Sequence, residues 1–310
     1  MPTVSETRRI AEEAAIDAAW AQWTALIPLA SPVGDGRPWT IVDPEALILV
    51  SLAFGDHEAR LRDVVAAWAR SGSFLVSKPR FKGIAALFPP DVEARVGDFA
   101  RYAAEGGDTS WQRLATPAEP DQSPPREKEA GPLQLTEGPS LVLRLRAGFG
   151  VNAKADVLAL LLGLDGEAVD LNVVIEATGY TDRAVRTATE EMVLAGLVRE
   201  IEGRPSSFYV DPEPWARMLR SDPSIPPWHY WSALFPFLTA VDRWGRKAGE
   251  EDWTDYVASS RARDLYERHE RRLVRAGIES IAPETMRGTR FLGAFHALLL
   301  SIRDWIPAGT

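Results

Sequence analysis

Arg183 and Arg186, with Thr181 and Thr187 beside them, have the residue types and spacing that best suit a binding function in this chain. In a helix, residues three apart lie on one face, so the two guanidinium groups would be neighbours. A guanidinium group forms paired hydrogen bonds with phosphate oxygens or with the edge of a guanine base, and threonine hydroxyls also contact phosphates. These four residues therefore predict a surface that binds a polyanion.

Further cations could extend this surface. Lys154 lies at the start of a preceding helix, with Arg144 and Arg146 shortly before it, and Arg204 lies at the tip of a following hairpin. The alternative is that these side chains are only solvent-exposed surface charges that pair with nearby acids. Three acids are placed for such pairing: Asp182, Glu190 and Glu200.

Three helical patterns would position the side chains. Asn152 is a good N-cap for an apolar helix over residues 153–162. A second helix ends before Gly179, where a left-handed residue often terminates a helix. Thr181 can cap the third helix because its hydroxyl accepts a hydrogen bond from a free backbone N–H. The predicted inner face of that helix comprises Ala184, Val185, Ala188, Met192 and Val193.

A hairpin is predicted after the third helix. Residues 197–201 alternate between apolar and polar side chains, residues 202–205 form a turn, and residues 207–210 return as a second strand. Two helices joined by a short turn containing glycine are typical of a helix-turn-helix. The hairpin would form a wing beside it.

The segment "ATGYTDRAVRTATEEM" followed by "LAGLVREIEGRPSSFYV" resembles the bacterial winged helix-turn-helix transcriptional regulators of the ArsR and MarR kind. The resemblance covers residues 150–211, about a fifth of the chain. It implies that the third helix contacts double-stranded DNA. The implied DNA-binding residues are Thr181, Arg183, Arg186, Thr187, Arg204 and Lys154. A winged helix also serves as a docking scaffold, so an antitoxin or adaptor that binds a protein partner is the alternative.

The charge balance opposes a simple DNA-binding surface. The chain has 35 Lys and Arg against 44 Asp and Glu, and residues 140–221 have 9 against 12, a net charge of −3. DNA-binding domains usually carry a basic surface that replaces phosphate counterions. Binding would therefore depend on where the few arginines lie.

The sequence contains no recognisable catalytic motif. There is no cysteine, which excludes disulfides, thiolate metal sites and thiol nucleophiles. The histidines lack the spacing of a zinc site, and no phosphate-binding glycine loop or nucleophile elbow is present. We therefore expect that the protein is not an enzyme and that it binds no cofactor and no metal ion. No apolar run is long enough for a membrane span, and no secretory segment is recognisable, so we expect a cytoplasmic protein.

The predicted fold class is mainly α with a small β-wing. Six prolines and several acids in residues 116–139 predict a semi-rigid linker. It would separate a helical N-terminal domain, residues 1–115, from the winged helix-turn-helix, residues 140–221. Residues 222–310 would form a helical C-terminal assembly domain.

The N-terminal domain could itself be a degenerate helix-turn-helix. Residues 43–54, 57–70 and 78–87 would be its helices, and Lys78, Arg80 and Lys82 would lie on a second reading helix. Asp43 before Pro44 is a strong helix-start signal. The alternative is a chance similarity between two amphipathic helices.

The last helix carries an apolar stripe that predicts packing along another helix. Its members are Phe291, Phe295, Leu298, Ile302 and Trp305. Because most helix-turn-helix proteins read two half-sites, we expect a homodimer built on this stripe. The alternative is that the partner helix belongs to the same chain.

Overall fold

The computed structural model describes residues 2–27, 40–117, 133–203, 205–220, 225–282, 285 and 288–306. Within these ranges the protein is mainly helical, with one small three-stranded antiparallel sheet, which confirms the predicted fold class at this level.

The N-terminal part consists of consecutive helices. They are α1 (Val4–Leu26), α2 (Pro44–Phe54), α3 (Ala59–Gly72), α4 (Lys78–Ala85), α5 (Pro90–Ala94) and α6 (Val96–Glu105). Short 3-10 helices occupy Ser73–Leu75 and Thr109–Trp111. Asp43 caps α2 as predicted, because its carboxylate accepts a hydrogen bond from the N–H of Ala46 at 3.2 Å.

The central part contains helices, strands and a 3-10 turn in alternation. The elements are a 3-10 helix (Gly138–Ser140), α7 (Leu141–Phe149), α8 (Ala153–Gly163), β1 (Val169–Asp170), α9 (Leu171–Thr178), α10 (Asp182–Leu194), β2 (Arg199–Ile201), β3 (Ser207–Tyr209) and α11 (Pro212–Leu219). Strand β3 lies between β1 and β2, and both neighbours pair with it in the antiparallel sense. Phe208 of β3 is buried and faces Val169 on one side and Glu200 on the other.

The C-terminal part adds three long helices in the described ranges: α12 (Trp231–Glu250), α13 (Asp255–Arg275) and α14 (Arg290–Trp305). Helix α12 packs along α1, and α13 and α14 pack against each other. Thr254 caps α13 through the N–H of Val257.

Buried apolar side chains form two clusters. The first core joins residues of α1–α6 with residues of α12–α14, and Trp23 meets Trp68 edge to face within it at 5.9 Å. The second core lies among α7–α11 and the sheet, and Val157, Val185 and Phe208 belong to it. The two ends of the chain therefore share one core, while the central segment builds another.

The apolar stripe of α14 is filled within the chain. Phe291, Phe295 and Ile302 are fully buried, and α14 packs against α1 and α13. The placement of a dimer interface on this stripe is therefore wrong, because the surface is already covered. The alternative, an intramolecular partner, is what the structure has.

Part of the predicted linker, residues 118–132, lies outside the described ranges. Its C-terminal end packs on the first core through Leu133 and Leu135, and the N–H of Gln134 donates to the carbonyl of Leu26 at 3.1 Å.

Among the described helices, none combines the length and apolarity that crossing a bilayer requires.

Candidate functional site

Helix α10 has one buried and one exposed face. Val185, Ala188 and Met192 are buried in the second core, as the apolar pattern predicted. Thr181 is exposed at the N-cap, and the exposed side chains on the helix itself include Arg183, Arg186, Thr187 and Glu190. The structure therefore brings four of the six candidate residues together on one solvent-facing surface.

The turn before α10 fixes how the helix begins. Gly179 has a φ of 69°, in the left-handed region that favours glycine, and ends α9 as predicted. Thr181 caps α10 by accepting a hydrogen bond from the N–H of Ala184 at 3.4 Å. Its hydroxyl thus holds the first turn of the helix while staying exposed to solvent.

Two of the candidate cations are paired with acids. Arg186 Nε lies 2.8 Å from Oδ1 of Asp182, one turn earlier on α10, and both side chains are more than half exposed. Lys154 at the start of α8 pairs with Glu191 of α10. Arg183 makes no ion pair within the described part of the chain and is exposed. Arg204 lies outside the described residues.

Acidic side chains also border the exposed face of α10. A cleft of about 310 Å³ separates α10 from the β2–β3 hairpin, and Arg186, Glu190 and Glu200 line it. The surface that would face a ligand is therefore of mixed charge. Among the candidate cations in the described ranges, Arg183 is exposed and makes no ion pair.

A buried ionic cluster, which the sequence did not predict, lies behind this surface. It consists of Asp43, Glu45, Arg80, Arg146 and Asp156, all of which are at most 2% exposed. Arg80 binds both carboxylate oxygens of Asp43 at 2.6 Å and also pairs with Glu45. Arg146 bridges Glu45 at 2.6 Å and Asp156 at 2.7 Å. The cluster joins α2, α4, α7 and α8.

The same cluster reaches the turn before α10. Arg80 Nε donates to the carbonyl oxygen of Thr178 at 2.7 Å, at the C-terminus of α9. The hydroxyl of Tyr180 donates to Oγ of Ser77 at 2.8 Å, and the N–H of Ser77 donates to Glu45 at 2.8 Å. The N-terminal helices thus hold the α9–α10 turn through charged and polar contacts.

Burial and charge act in opposite directions on these groups. Burial alone would raise the pKa of Glu45, but the positive charges of Arg146 and Arg80 hold that pKa below 4.5. Burial would lower the pKa of Arg146 and of Arg80, yet the surrounding carboxylates raise both. Burial raises the pKa of Tyr180. Glu45 and both arginines are therefore charged at neutral pH.

Two sequence expectations are corrected by this cluster. Arg80 cannot lie on a reading surface, and Arg146 cannot extend the cationic surface near α8, because both guanidinium groups are buried and bound to carboxylates. No local pattern signals these contacts, since Arg146 and Glu45 are 101 residues apart and Arg80 and Asp43 are 37 apart.

Among the described residues, no group of three or more His, Asp and Glu side chains is arranged to hold a metal ion. Comparison of the chain with protein-family models, with curated proteins and with solved structures found no match.

Proposed function

We propose that residues 140–221 form a winged helix-turn-helix of the ArsR and MarR kind that binds duplex DNA and makes the protein a transcriptional regulator. The observation that carries the proposal is the division of α10 into a buried apolar face and an exposed face with Arg183, Arg186 and Thr187, next to the exposed N-cap Thr181. The order of elements supports it, since α8, β1, α9, α10 and a β2–β3 hairpin follow one another with β3 central in the sheet.

The contacts of the candidate residues support unequal roles for them. Arg183 is free of ion pairs in the described ranges and would make the main base-edge or phosphate contact. Arg186 and Lys154 would have to leave Asp182 and Glu191 before binding DNA, which reduces their net contribution. A regulator of this kind would act in the cytoplasm and bind DNA as a homodimer, through a surface other than the covered stripe of α14.

The test uses DNA fragments selected from the host genome with the purified protein. Arg183→Ala should lose about 1–3 kcal/mol of specific binding free energy, with a smaller loss on unrelated DNA. Arg261→Ala is the matched control, because Arg261 is an exposed arginine on α13. Equal affinity of the wild type and Arg183→Ala for the selected fragments would refute the assignment. Light scattering tests the dimer, and a monomeric mass at tens of micromolar protein would contradict it.

One observation favours a second candidate function, protein docking. Leu194 at the end of α10 is 90% exposed, Leu197 is 40% exposed and Ile201 of β2 is 50% exposed. These three exposed apolar side chains lie within eight residues of the chain, and a cluster of exposed apolar side chains often marks a protein contact. If selection recovers no DNA and Leu194→Ser abolishes binding of a co-purifying protein, the docking function replaces the DNA-binding one.

A further inference from the structure

A cleft of about 550 Å³ lies between the N-terminal helices and the turn that leads into α10. One wall is formed by residues before and at the start of α4, and the facing wall by Val151–Ala153 and Gly179–Thr181. The 3-10 helix Thr109–Trp111 closes a third side. The volume is within the range of roughly 300–1,000 Å³ that small-molecule sites occupy.

Two opposite charges line this cleft. Lys78 Nζ donates to the carbonyl oxygen of Ser110 at 2.5 Å and lies 5.0 Å from the ring centre of Trp111. Asp108 Oδ2 accepts a hydrogen bond from Ser73 Oγ at 2.9 Å, and Oδ1 accepts from the N–H of Ser110 at 3.2 Å. Both charged groups are thus held in place by neutral partners.

Both charged groups can still form further hydrogen bonds. An ammonium group has three N–H donors, and Lys78 uses one of them on Ser110. An ionised carboxylate has about four acceptor positions, and the two serines occupy three of those of Asp108. Within the described part of the chain, neither Lys78 nor Asp108 forms an ion pair. The cleft therefore presents a cation and an anion that form no ion pair but still interact electrostatically, and each has bonding capacity left.

The remaining lining is largely apolar. Phe74 is 60% exposed although Leu75 and Val76 beside it are buried, and Val151 on the facing wall is 37% exposed. Ala184 of α10 and the ring of Tyr180 complete this apolar part. A ligand that covered Phe74 and Val151 would remove their exposed apolar surface from water, which favours binding.

We propose that the cleft binds a free zwitterionic amino acid with a large apolar side chain. Its carboxylate would contact Lys78, its ammonium group would contact Asp108, and its side chain would pack on Phe74, Val151 and Ala184. A monovalent acid or amine of the same size would leave one of these two partly exposed charges without a ligand partner. The inference does not depend on DNA binding, but Tyr180 and Thr181 line the cleft, so the ligand would contact the start of α10.

The first arm of the test uses the wild-type chain and calorimetry with three related probes. L-phenylalanine carries both charges, 3-phenylpropionate lacks the ammonium group, and 2-phenylethylamine lacks the carboxylate. We expect L-phenylalanine or another apolar amino acid of the standard set to bind, and each singly charged analogue of that amino acid to bind about tenfold more weakly or worse. An analogue that binds as well as the amino acid overturns the inference, and so does a lack of saturable binding by every standard amino acid at millimolar concentration.

The second arm uses variants. Lys78→Gln and Asp108→Asn should each weaken amino-acid binding by about tenfold or more, because each leaves one ligand charge unpaired. Lys247→Gln on α12 is the matched control and should bind like the wild type. Binding that is unchanged in both cleft variants places the ligand elsewhere and overturns the inference. If a cleft variant fails to fold, the analogue series on the wild-type chain decides alone.

Discussion

The buried ionic cluster and the exposed face of α10 contain the same residue types in opposite surroundings. In the cluster, Arg146 is 1% exposed and bridges Glu45 and Asp156. On α10, Arg186 pairs with Asp182 while both side chains are more than half exposed. A buried pair cannot lose one partner without stranding a charge in a low dielectric, whereas water replaces a lost partner at the surface. Ion pairs with similar N···O distances are therefore expected to contribute differently to the free energy of unfolding.

The largest expected effect comes from breaking the buried cluster. Arg146→Met should lower the free energy of unfolding by about 3–5 kcal/mol, because it leaves Glu45 and Asp156 buried beside each other with one cation fewer. Chemical denaturation followed by tryptophan fluorescence measures this change.

Arg186→Met is the matched control for that experiment, because it removes an arginine from an exposed pair. It should change the free energy of unfolding by no more than about 0.5 kcal/mol. Equal losses in the two variants would contradict the comparison between the buried and exposed pairs.

An intermediate effect is expected from pH. The pKa of Glu45 in the folded protein is below 4.5, so its contribution to stability is complete above about pH 4.5 and is lost as the pH falls through the folded value. Glu45→Gln lacks this contribution. Its unfolding free energy should therefore fall less than that of the wild type between about pH 5 and pH 3.

The control for the pH series is Glu190→Gln, because Glu190 is an exposed carboxylate on α10. This variant should keep the pH dependence of the wild type. A Glu45→Gln variant with the same slope as Glu190→Gln would show that Glu45 does not titrate differently on folding.

The smallest expected effect comes from the exposed pair and bears on the proposed function. Asp182→Asn removes the acid that holds Arg186, so the guanidinium group is free to contact a phosphate. DNA affinity should rise by about threefold at low salt, and the gain should shrink as salt is added. Asp264→Asn on α13 makes the same change in net charge far along the chain and should leave affinity unchanged. A loss of affinity in Asp182→Asn would mean that the pair itself positions Arg186.

Local signals in the sequence predicted local structure well. Asp43 and Thr181 cap their helices, and Gly179 adopts the left-handed conformation that ends α9. The inner face of α10 was also predicted correctly, since Val185, Ala188 and Met192 are buried. Each of these features depends on residues within about one helical turn, which is the range over which spacing and side-chain type carry information.

The exposed arginines of α10 illustrate the limit of that range. The spacing of the apolar residues predicts which face of α10 carries the arginines. It does not decide whether each arginine forms an ion pair: Arg186 pairs with Asp182, whereas Arg183 makes no ion pair among the described residues. The sequence did not predict the cleft, because Lys78 and Asp108, which line it, are 30 residues apart and are brought to it by tertiary contacts such as the hydrogen bond from Lys78 to Ser110.

The sequence by itself determined several helices, among them α2, α8 and α10 with their N-caps, together with the β2–β3 hairpin and the apolar face of α10. It did not predict α5–α7 or β1. Only the tertiary structure decided that the stripe of α14 packs inside the chain and that Arg80 and Arg146 are buried against carboxylates from distant segments. The physical reason is that an apolar face or a charged side chain specifies what kind of partner it needs. Which partner it obtains depends on contacts between residues far apart in the chain.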